Sequence, residues 1–241
     1  MKSSENQNYG DLDRFYSCIT ELAKLPHQGS RLATCTGGMP WPKRGVYFVC
    51  EPGELRIKPE RASRVVRVGT HAITEGSKGN LWSRIRIHRG STAGGNHRGS
   101  VFRKHLGFAL LKRSGQGSST WGVGSSAPPE LKASKSLKVA ESDHEKLVSG
   151  YMGDLTLYWI DVPDEPSPSS DRAYIERNAI AMLSNQCSPI DPASSGWLGN
   201  NSRTPEVRNS GLWNVHHVYE KYDPSFLVKL DEYIRRTADN G

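Results

Sequence analysis

The sequence predicts an α/β fold in which a small three-stranded sheet, mixed or antiparallel, is flanked by helices. Two short runs rich in β-branched and aromatic residues, 45–50 and 65–70, predict neighbouring strands. A third run at 154–162 predicts the remaining strand of the sheet. Apolar residues at helical spacing before, between and after these runs predict the flanking helices.

The helices are predicted from apolar residues that recur every three or four positions. Asp11 is suited to cap the first helix, and Ser169, Ser170 and Asp171 all offer caps for the helix that follows the third strand. Residues 212–219 are expected to form a short strand or extended piece. The predicted helices cover 11–25, 81–89, 100–111, 131–149 and 172–184, with a closing helix that begins near Phe226.

The length of 241 residues suits one elaborated domain. We expect a core at 43–191 with a basic insertion at about 90–130. A helical extension at 1–42 should precede this core, and an extension at 192–241 should pack on it.

The apolar runs are all too short for a membrane span, which needs about 18 residues. Residues 1–10 are polar and lack the apolar segment of a secretion signal. We therefore expect a cytoplasmic protein without a membrane partner.

The cysteine and histidine spacing does not predict a structural zinc site. The cysteines show no paired spacing and are expected to be reduced thiols. His216 and His217 are adjacent, so on a strand they would face opposite sides. The four cysteines are Cys18, Cys35, Cys50 and Cys187.

The charge distribution is more informative than the net charge of +7. Residues 76–129 contain no Asp or Glu, whereas 141–176 carries nine acidic residues against Lys146 and Arg172. A segment whose charged residues are all positive is often only a solvated face. This one includes Arg84 of the helix predicted at 81–89, and its position favours a polyanion-binding surface. The expected nucleic-acid contacts are Lys78, Arg86, Arg89, His97, Arg98, Arg103 and Lys104.

The helix that follows the first two strands carries an arginine and a histidine one turn apart. Arg84 and His88 are separated by four residues, and His88 shares a face with Leu81 and Ile85. An arginine holds phosphate oxygens through paired N–H donors, and a histidine transfers protons near neutral pH.

This ordered set of residues resembles the core of the GIY-YIG nucleases. Gly45-Val46-Tyr47 and Arg67-Val68-Gly69 match the two triplets that give the family its name, and Arg84 with His88 matches its active helix. The helix around Glu176 matches the family's later helix with a metal-binding glutamate. One residue departs from the pattern, because Arg67 stands where the family usually has a second tyrosine.

The resemblance implies a role for each matched residue. Tyr47 would activate or orient the attacking water, and a nearby cation would have to favour its phenolate because a free phenol has a pKa of about 10. Arg67 could supply that cation. Arg84 would hold a phosphoryl oxygen, and His88 would act as a general acid or base.

The resemblance also implies a divalent cation, Mg²⁺ or Mn²⁺, bound by Glu176. Mg²⁺ commonly uses one or two carboxylates and keeps several waters, so a single carboxylate suffices. The family often has an asparagine near a proline after this helix, and both Asn185 and Asp191 are candidates.

These observations predict a metal-dependent endonuclease that hydrolyses phosphodiester bonds in DNA, with double-stranded DNA favoured. Restriction or anti-phage defence is the expected setting, and a homodimer is left open. Two alternatives remain, a catalytically inactive nucleic-acid-binding module on the same fold and an RNA or structure-specific nuclease. Arg67 leaves the inactive module open, whereas the other matched residues favour an enzyme.

Overall fold

A computed structural model describes residues 2–57, 62–186 and 189–239. These ranges form a mixed α/β structure with one antiparallel sheet, which confirms the predicted fold class. The strands are β1 (Ser30–Arg31), β2 (Gly45–Leu55), β3 (Ser63–Gly69) and β4 (Thr156–Asp161). The helices are α1 (Lys2–Leu22), α2 (Leu81–Arg89), α3 (Val101–Arg113), α4 (Pro129–Ala133), α5 (Lys135–Asp154), α6 (Asp171–Leu183), α7 (Pro205–Ser210) and α8 (Phe226–Asp239).

The sheet has the order β1-β4-β2-β3, so β2 is paired on both sides. Tyr47 on β2 lies opposite Gly69 on β3 and opposite Trp159 on β4. The prediction of three strands captured β2, β3 and β4 and missed β1. That strand has two residues, which is too short for an alternating pattern to reveal.

Both faces of β2 are buried, and each faces a separate apolar core. Val46 and Phe48 pack into a core that includes residues of α1, α6 and α8. Tyr47 and Val49 pack into the other core, which includes residues of α2, α3 and α5. Successive side chains of a strand point to opposite faces, so a strand buried on both sides has a continuous apolar sequence.

Two predicted helices differ most from those in the structure. The first helix begins at Lys2, well before residue 11. The predicted helix at 131–149 is two helices, α4 and α5, that meet at Ser134. The Ser134 hydroxyl accepts a hydrogen bond from the Leu137 N–H at 3.3 Å and so caps α5.

The segment 212–219, expected to be a short strand or extended piece, forms no strand and is irregular. It still covers the outer edge of β3. The Trp213 N–H donates to the Val66 carbonyl at 2.7 Å. The Asn214 side chain accepts from the Val68 N–H at 3.1 Å and donates to its carbonyl at 2.8 Å. A side-chain amide thus replaces one residue of a pairing strand.

Cys18, Cys35 and Cys50 are free, buried thiols, as predicted, and Cys187 lies outside the described residues. Within the described ranges, no helix combines the length and apolar character that crossing a bilayer requires.

Candidate active site

The two motif glycines allow the strands and Tyr47 to pack closely. A Cβ atom at Gly69 would overlap the phenol ring and oxygen of Tyr47 on the opposite strand. A Cβ atom at Gly45 would overlap the Ile160 carbonyl of β4. Any side chain at either position would clash with these atoms, so glycine is required at both.

The Tyr47 phenol begins a chain of buried hydrogen bonds. Its Oη lies 2.9 Å from Nε2 of His88 on α2. Nδ1 of the same imidazole lies 2.7 Å from Oγ of Ser100, which caps α3 by accepting from the Arg103 N–H at 3.2 Å. Helix α2 starts at a similar cap, where the Asn80 side chain accepts from the Ser83 N–H at 2.8 Å. The two caps fix the helices that hold His88 in line with Tyr47.

Ser100 is a site residue that the sequence did not reveal as one. A serine before an apolar helical segment predicts an N-cap, but the pattern does not show what else its hydroxyl contacts. In the structure the same hydroxyl also contacts His88. It therefore fixes the orientation of the ring.

Burial lowers the pKa of His88 well below its usual range, and the positive charges of Arg67, Arg84 and Arg103 lower it further. His88 is therefore neutral near pH 7. In a neutral imidazole, one ring nitrogen donates a hydrogen bond and the other accepts. The ring can thus connect two hydroxyl groups in either direction.

Arg67 on β3 lies beside Tyr47. Its Nε is 3.4 Å from Tyr47 Oη, and its Nη1 donates to the Trp213 carbonyl at 2.8 Å. The guanidinium lies over the Phe102 ring, 4.7 Å from the centroid. These contacts hold a positive charge next to the phenol oxygen.

The carboxylate of Glu176 is bound to the residue that follows Gly69. The Thr70 N–H donates to Glu176 Oε1 at 3.1 Å. Burial raises the pKa of this carboxyl, and the charge of Arg67 and the Thr70 N–H oppose the rise. Oε2 makes no hydrogen bond with any described residue.

The environment of Glu176 fits a divalent cation. Cation binding would offset the cost of burying the carboxylate, and Oε2 is available for it. The described residues contain no group of three or more His, Cys, Asp or Glu side chains placed to hold a metal. Most positions around the cation would therefore be filled by water and substrate oxygens.

Arg84 is half-buried, and its guanidinium makes no hydrogen bond or ion pair within the described ranges. Its charge contributes to the lowered pKa of His88 and opposes the raised pKa of Glu176. Arg84 thus lies near both groups while its donors remain available to a substrate.

Three of the expected nucleic-acid contacts lie inside the protein. Arg103 is fully buried, forms an ion pair with Glu145, and donates to the His88 carbonyl at 3.0 Å. His97 is also buried, with Nδ1 2.9 Å from the Glu145 carboxylate. Its ring stacks on Trp121 at a centroid distance of 3.8 Å.

The third of these residues, Arg98, has its side chain almost fully covered. It forms two hydrogen bonds with Glu141 and donates to the Thr120 carbonyl at 3.0 Å. Side chains that are covered and bonded in this way do not reach a phosphate in this structure. We therefore do not retain His97, Arg98 and Arg103 as nucleic-acid contacts.

The other four expected contacts lie nearer the surface. Lys78 and Arg86 are exposed, and Lys104 is half-buried. Arg89 is half-buried, donates to the Cys35 and Gly90 carbonyls, and lies over the Trp82 ring. Lys78 and Arg86 are thus the most accessible of the set.

Asn185 and Asp191 have structural partners. The Asn185 amide donates to the Asp191 carbonyl at 3.0 Å and accepts from the Asp191 N–H at 3.1 Å. The Asp191 carboxylate accepts from the Ile57 N–H at 3.0 Å. Both residues shape the turn after α6, and neither is bonded to Glu176.

Comparison with known proteins returned one family. No curated protein and no solved structure matches the chain. A family model described as a GIY-YIG domain matches residues 6–240, which is nearly the whole chain. The chain therefore belongs to the GIY-YIG family of nucleases.

Proposed function

We propose that this protein is a metal-dependent endonuclease that hydrolyses phosphodiester bonds in DNA. The observation that carries the proposal is the position of the Tyr47 oxygen between two nitrogen groups. His88 Nε2 lies 2.9 Å from it and Arg67 Nε lies 3.4 Å from it. Glu176 is held nearby by the N–H of Thr70, the residue that follows Gly69, on which Tyr47 packs.

The hydrogen bonds at Tyr47 support its action as a base. When Ser100 donates to Nδ1 of the neutral His88, Nε2 carries the proton and donates to Tyr47. Two donors then point at the phenol oxygen, His88 Nε2 and Arg67 Nε. In the proposed step, Tyr47 acting as a phenolate takes a proton from water as the water oxygen bonds to phosphorus, and the bond from phosphorus to the leaving oxygen breaks with its electron pair on that oxygen.

Arg84 supplies charge to the transition state. Its free guanidinium can donate two parallel hydrogen bonds to the non-bridging phosphate oxygens. Negative charge on these oxygens rises as water attacks, so a fixed donor binds the transition state more tightly than the substrate.

Glu176 would hold Mg²⁺ or Mn²⁺ through Oε2 while Oε1 stays on the Thr70 N–H. The bound cation would supply positive charge to the leaving oxygen. The Thr70 contact fixes the carboxylate before any cation arrives.

DNA would bind across the exposed part of the basic segment, with Lys78 and Arg86 as the most accessible cations and Arg89 and Lys104 beside them. We favour double-stranded DNA as the substrate and the cytoplasm as the location. Restriction or anti-phage defence is the proposed setting, because the segment expected to bind DNA is part of the nuclease domain itself. A homodimer would cut both strands in one event, since each copy carries one such site.

The test measures cleavage of linear duplex, circular duplex, single-stranded DNA and RNA with and without Mg²⁺. We expect metal-dependent cleavage of duplex DNA. Glu176→Gln should abolish cleavage and leave DNA binding intact or tighter, because a repelling carboxylate is lost. Glu232→Gln on α8, an exposed glutamate, is the matched control and should cleave normally.

Full activity of Glu176→Gln, or undiminished cleavage in excess chelator, would contradict the metal mechanism. Cleavage of RNA alone would identify an RNA nuclease. Tight DNA binding without cleavage of any substrate by the unaltered protein would identify an inactive binding module.

A further inference from the structure

Two arginines in the later part of the chain differ from their neighbours because they have no carboxylate partner. Arg203 and Arg208 form no ion pair with any described residue. The other arginines after residue 130 each form one, Arg172 with Asp164, Arg177 with Glu220, Arg235 with Asp231 and Arg236 with Asp161. The charges of Arg203 and Arg208 are thus left for a partner outside the described part of the chain.

Arg203 is held against the second half of α3. The residue is exposed, and its guanidinium lies over the Phe108 ring, 4.3 Å from the centroid. The next residue, Thr204, is tied to the same helix, because its hydroxyl lies 3.1 Å from Nδ1 of His105. An arginine packed on an aromatic ring is held in place while its N–H groups stay available to a phosphate.

Lys104 places a second positive charge beside Arg203. It lies one helical turn before Phe108 on α3, so the two side chains share a face. A Cβ atom at Gly122 would lie 2.5 Å from the Phe108 ring and 3.5 Å from Cδ of Lys104, which shows that both side chains pack at this point. Lys104 is half-buried and forms no ion pair with a described residue.

Arg208 on α7 adds a third positive charge. Its Nη1 donates to the Ser202 carbonyl at 2.7 Å, so its guanidinium lies at the residue before Arg203. Glu206 is the carboxylate of the same stretch, and it forms no ion pair with any of the described residues. Lys104, Arg203 and Arg208 together form the α3–α7 surface.

Both stretches that build the α3–α7 surface also reach the candidate active site. The Arg67 guanidinium lies over the Phe102 ring of α3, and it donates to the carbonyl of Trp213, shortly after α7, at 2.8 Å. Phe102 and Phe108 are separated by about 9 Å along the axis of α3. Duplex DNA rises by about 3.4 Å for each base pair, so this separation corresponds to roughly three base pairs.

We propose that the α3–α7 surface binds the phosphate backbone of the DNA substrate, with Arg203 as its central contact. This inference rests on the proposed nuclease function. It extends the DNA contacts beyond the acid-free segment 76–129 to residues 203–208. Unpaired cations and a guanidinium fixed by an aromatic ring suit a polyanion, and the surface adjoins the elements that hold Arg67.

The test is the affinity for a fluorescently labelled DNA duplex, measured by anisotropy at several salt concentrations in excess chelator. Arg203→Met removes the charge and keeps an unbranched side chain that can pack on Phe108. Arg203→Lys keeps the charge. The matched control is Arg14→Met, because Arg14 is exposed and forms no ion pair with a described residue. It lies on α1, which packs on the opposite face of β2 from α3.

We expect Arg203→Met to lower the slope of log affinity against log salt by about 0.9, the contribution of one phosphate contact. Its affinity in about 0.1 M salt should fall by roughly five- to tenfold. Arg203→Lys should keep the slope, and Arg14→Met should bind like the unaltered protein. Thermal unfolding of each variant shows that it is folded.

The outcomes separate this inference from the proposed function. If Arg203→Met keeps its affinity and slope while the unaltered protein cleaves DNA, the inference is wrong and the proposed function stands. An equal loss of affinity in Arg14→Met would also overturn the inference, because net charge and not the α3–α7 surface would then set the affinity. If the unaltered protein binds no DNA duplex, the inference and the proposed function fail together.

Discussion

Arg84 and Arg103 belong to the same acid-free segment of the sequence but occupy opposite environments. The guanidinium of Arg84 is half-buried and has no partner among the described residues. Arg103 is fully buried, forms an ion pair with Glu145, and donates to carbonyls at the end of α2. The first is available for a substrate, and the second holds the structure together.

Arg84 and Arg103 differ although they lie in one run of basic residues, so such a run does not by itself define a binding surface. Carboxylates of the later acidic segment form ion pairs with arginines of the basic segment, Glu141 with Arg98 and Glu145 with Arg103. The two buried histidines of the acid-free segment, His88 and His97, differ in the same way. His97 is bonded to a carboxylate, whereas His88 lies between two hydroxyl groups and near unpaired positive charge.

The largest expected effect comes from removing the buried arginine. Arg103→Met leaves the Glu145 carboxylate buried without its cation and should lower the free energy of unfolding by about 3–5 kcal/mol. Arg84→Met breaks no ion pair and should change it by about 0.5 kcal/mol or less. Urea unfolding of the two variants measures the difference, and equal losses would show that Arg84 also has a structural partner.

Acid should destabilise the region where histidines face positive charge. Burial and the Lys104 charge lower the pKa of His105 to about 4, so between about pH 6.5 and 4 the unfolded chain binds a proton that the folded protein does not. Stability contributed by the neutral ring is therefore lost as pH falls through this window. Over this pH window, we expect the free energy of unfolding of His105→Gln to fall by roughly 1–2 kcal/mol less than that of the unaltered protein.

The measurement is urea unfolding at several pH values. Both proteins contain the other titrating groups, so the contributions of these groups drop out of the difference between the two unfolding free energies. These groups include Glu51 and Asp191, whose raised pKa values stabilise the folded protein as pH falls. Parallel curves for His105→Gln and the unaltered protein would show that His105 gains its proton in the folded state as readily as in the unfolded chain.

The smallest effect concerns DNA affinity. Each phosphate contact contributes about −0.9 to the slope of log affinity against log salt for duplex DNA. Reversal of the exposed Lys78 and Arg86 to glutamate should flatten that slope by roughly 1–2. Arg98→Gln should leave it unchanged, because Arg98 is already paired with Glu141. An equal flattening by both changes would return Arg98 to the binding surface.

Local patterns were enough to predict the strands and the helix that carry the candidate site. The short apolar runs predicted β2 and β3, and the spacing of four placed Arg84 and His88 on one helix. The structure adds the reason for the motif glycines, since Gly69 leaves room only for the Tyr47 phenol. The division into a core at 43–191 and two extensions stays a prediction.

Contacts between distant parts of the chain could not be predicted in the same way. Arg103 and Glu145 are 42 residues apart, and neither lies in a pattern that names its partner. The irregular path of 212–219 was not predicted, because a short strand or extended piece was expected there, whereas side-chain and backbone contacts to β3 and to the end of α6 fix the segment. Tertiary contacts decide such segments, and periodicity does not report them.

We propose that Arg84 acts on the phosphate from the same helix that holds His88. Single-turnover cleavage rates of Arg84→Ala and Arg86→Ala decide whether it does, because Arg86 is an exposed arginine two residues away. Loss of a fixed transition-state donor typically slows the chemical step by about 10²–10³. We expect that loss for Arg84→Ala and a far smaller one for Arg86→Ala. Equal losses would contradict this placement of the active site.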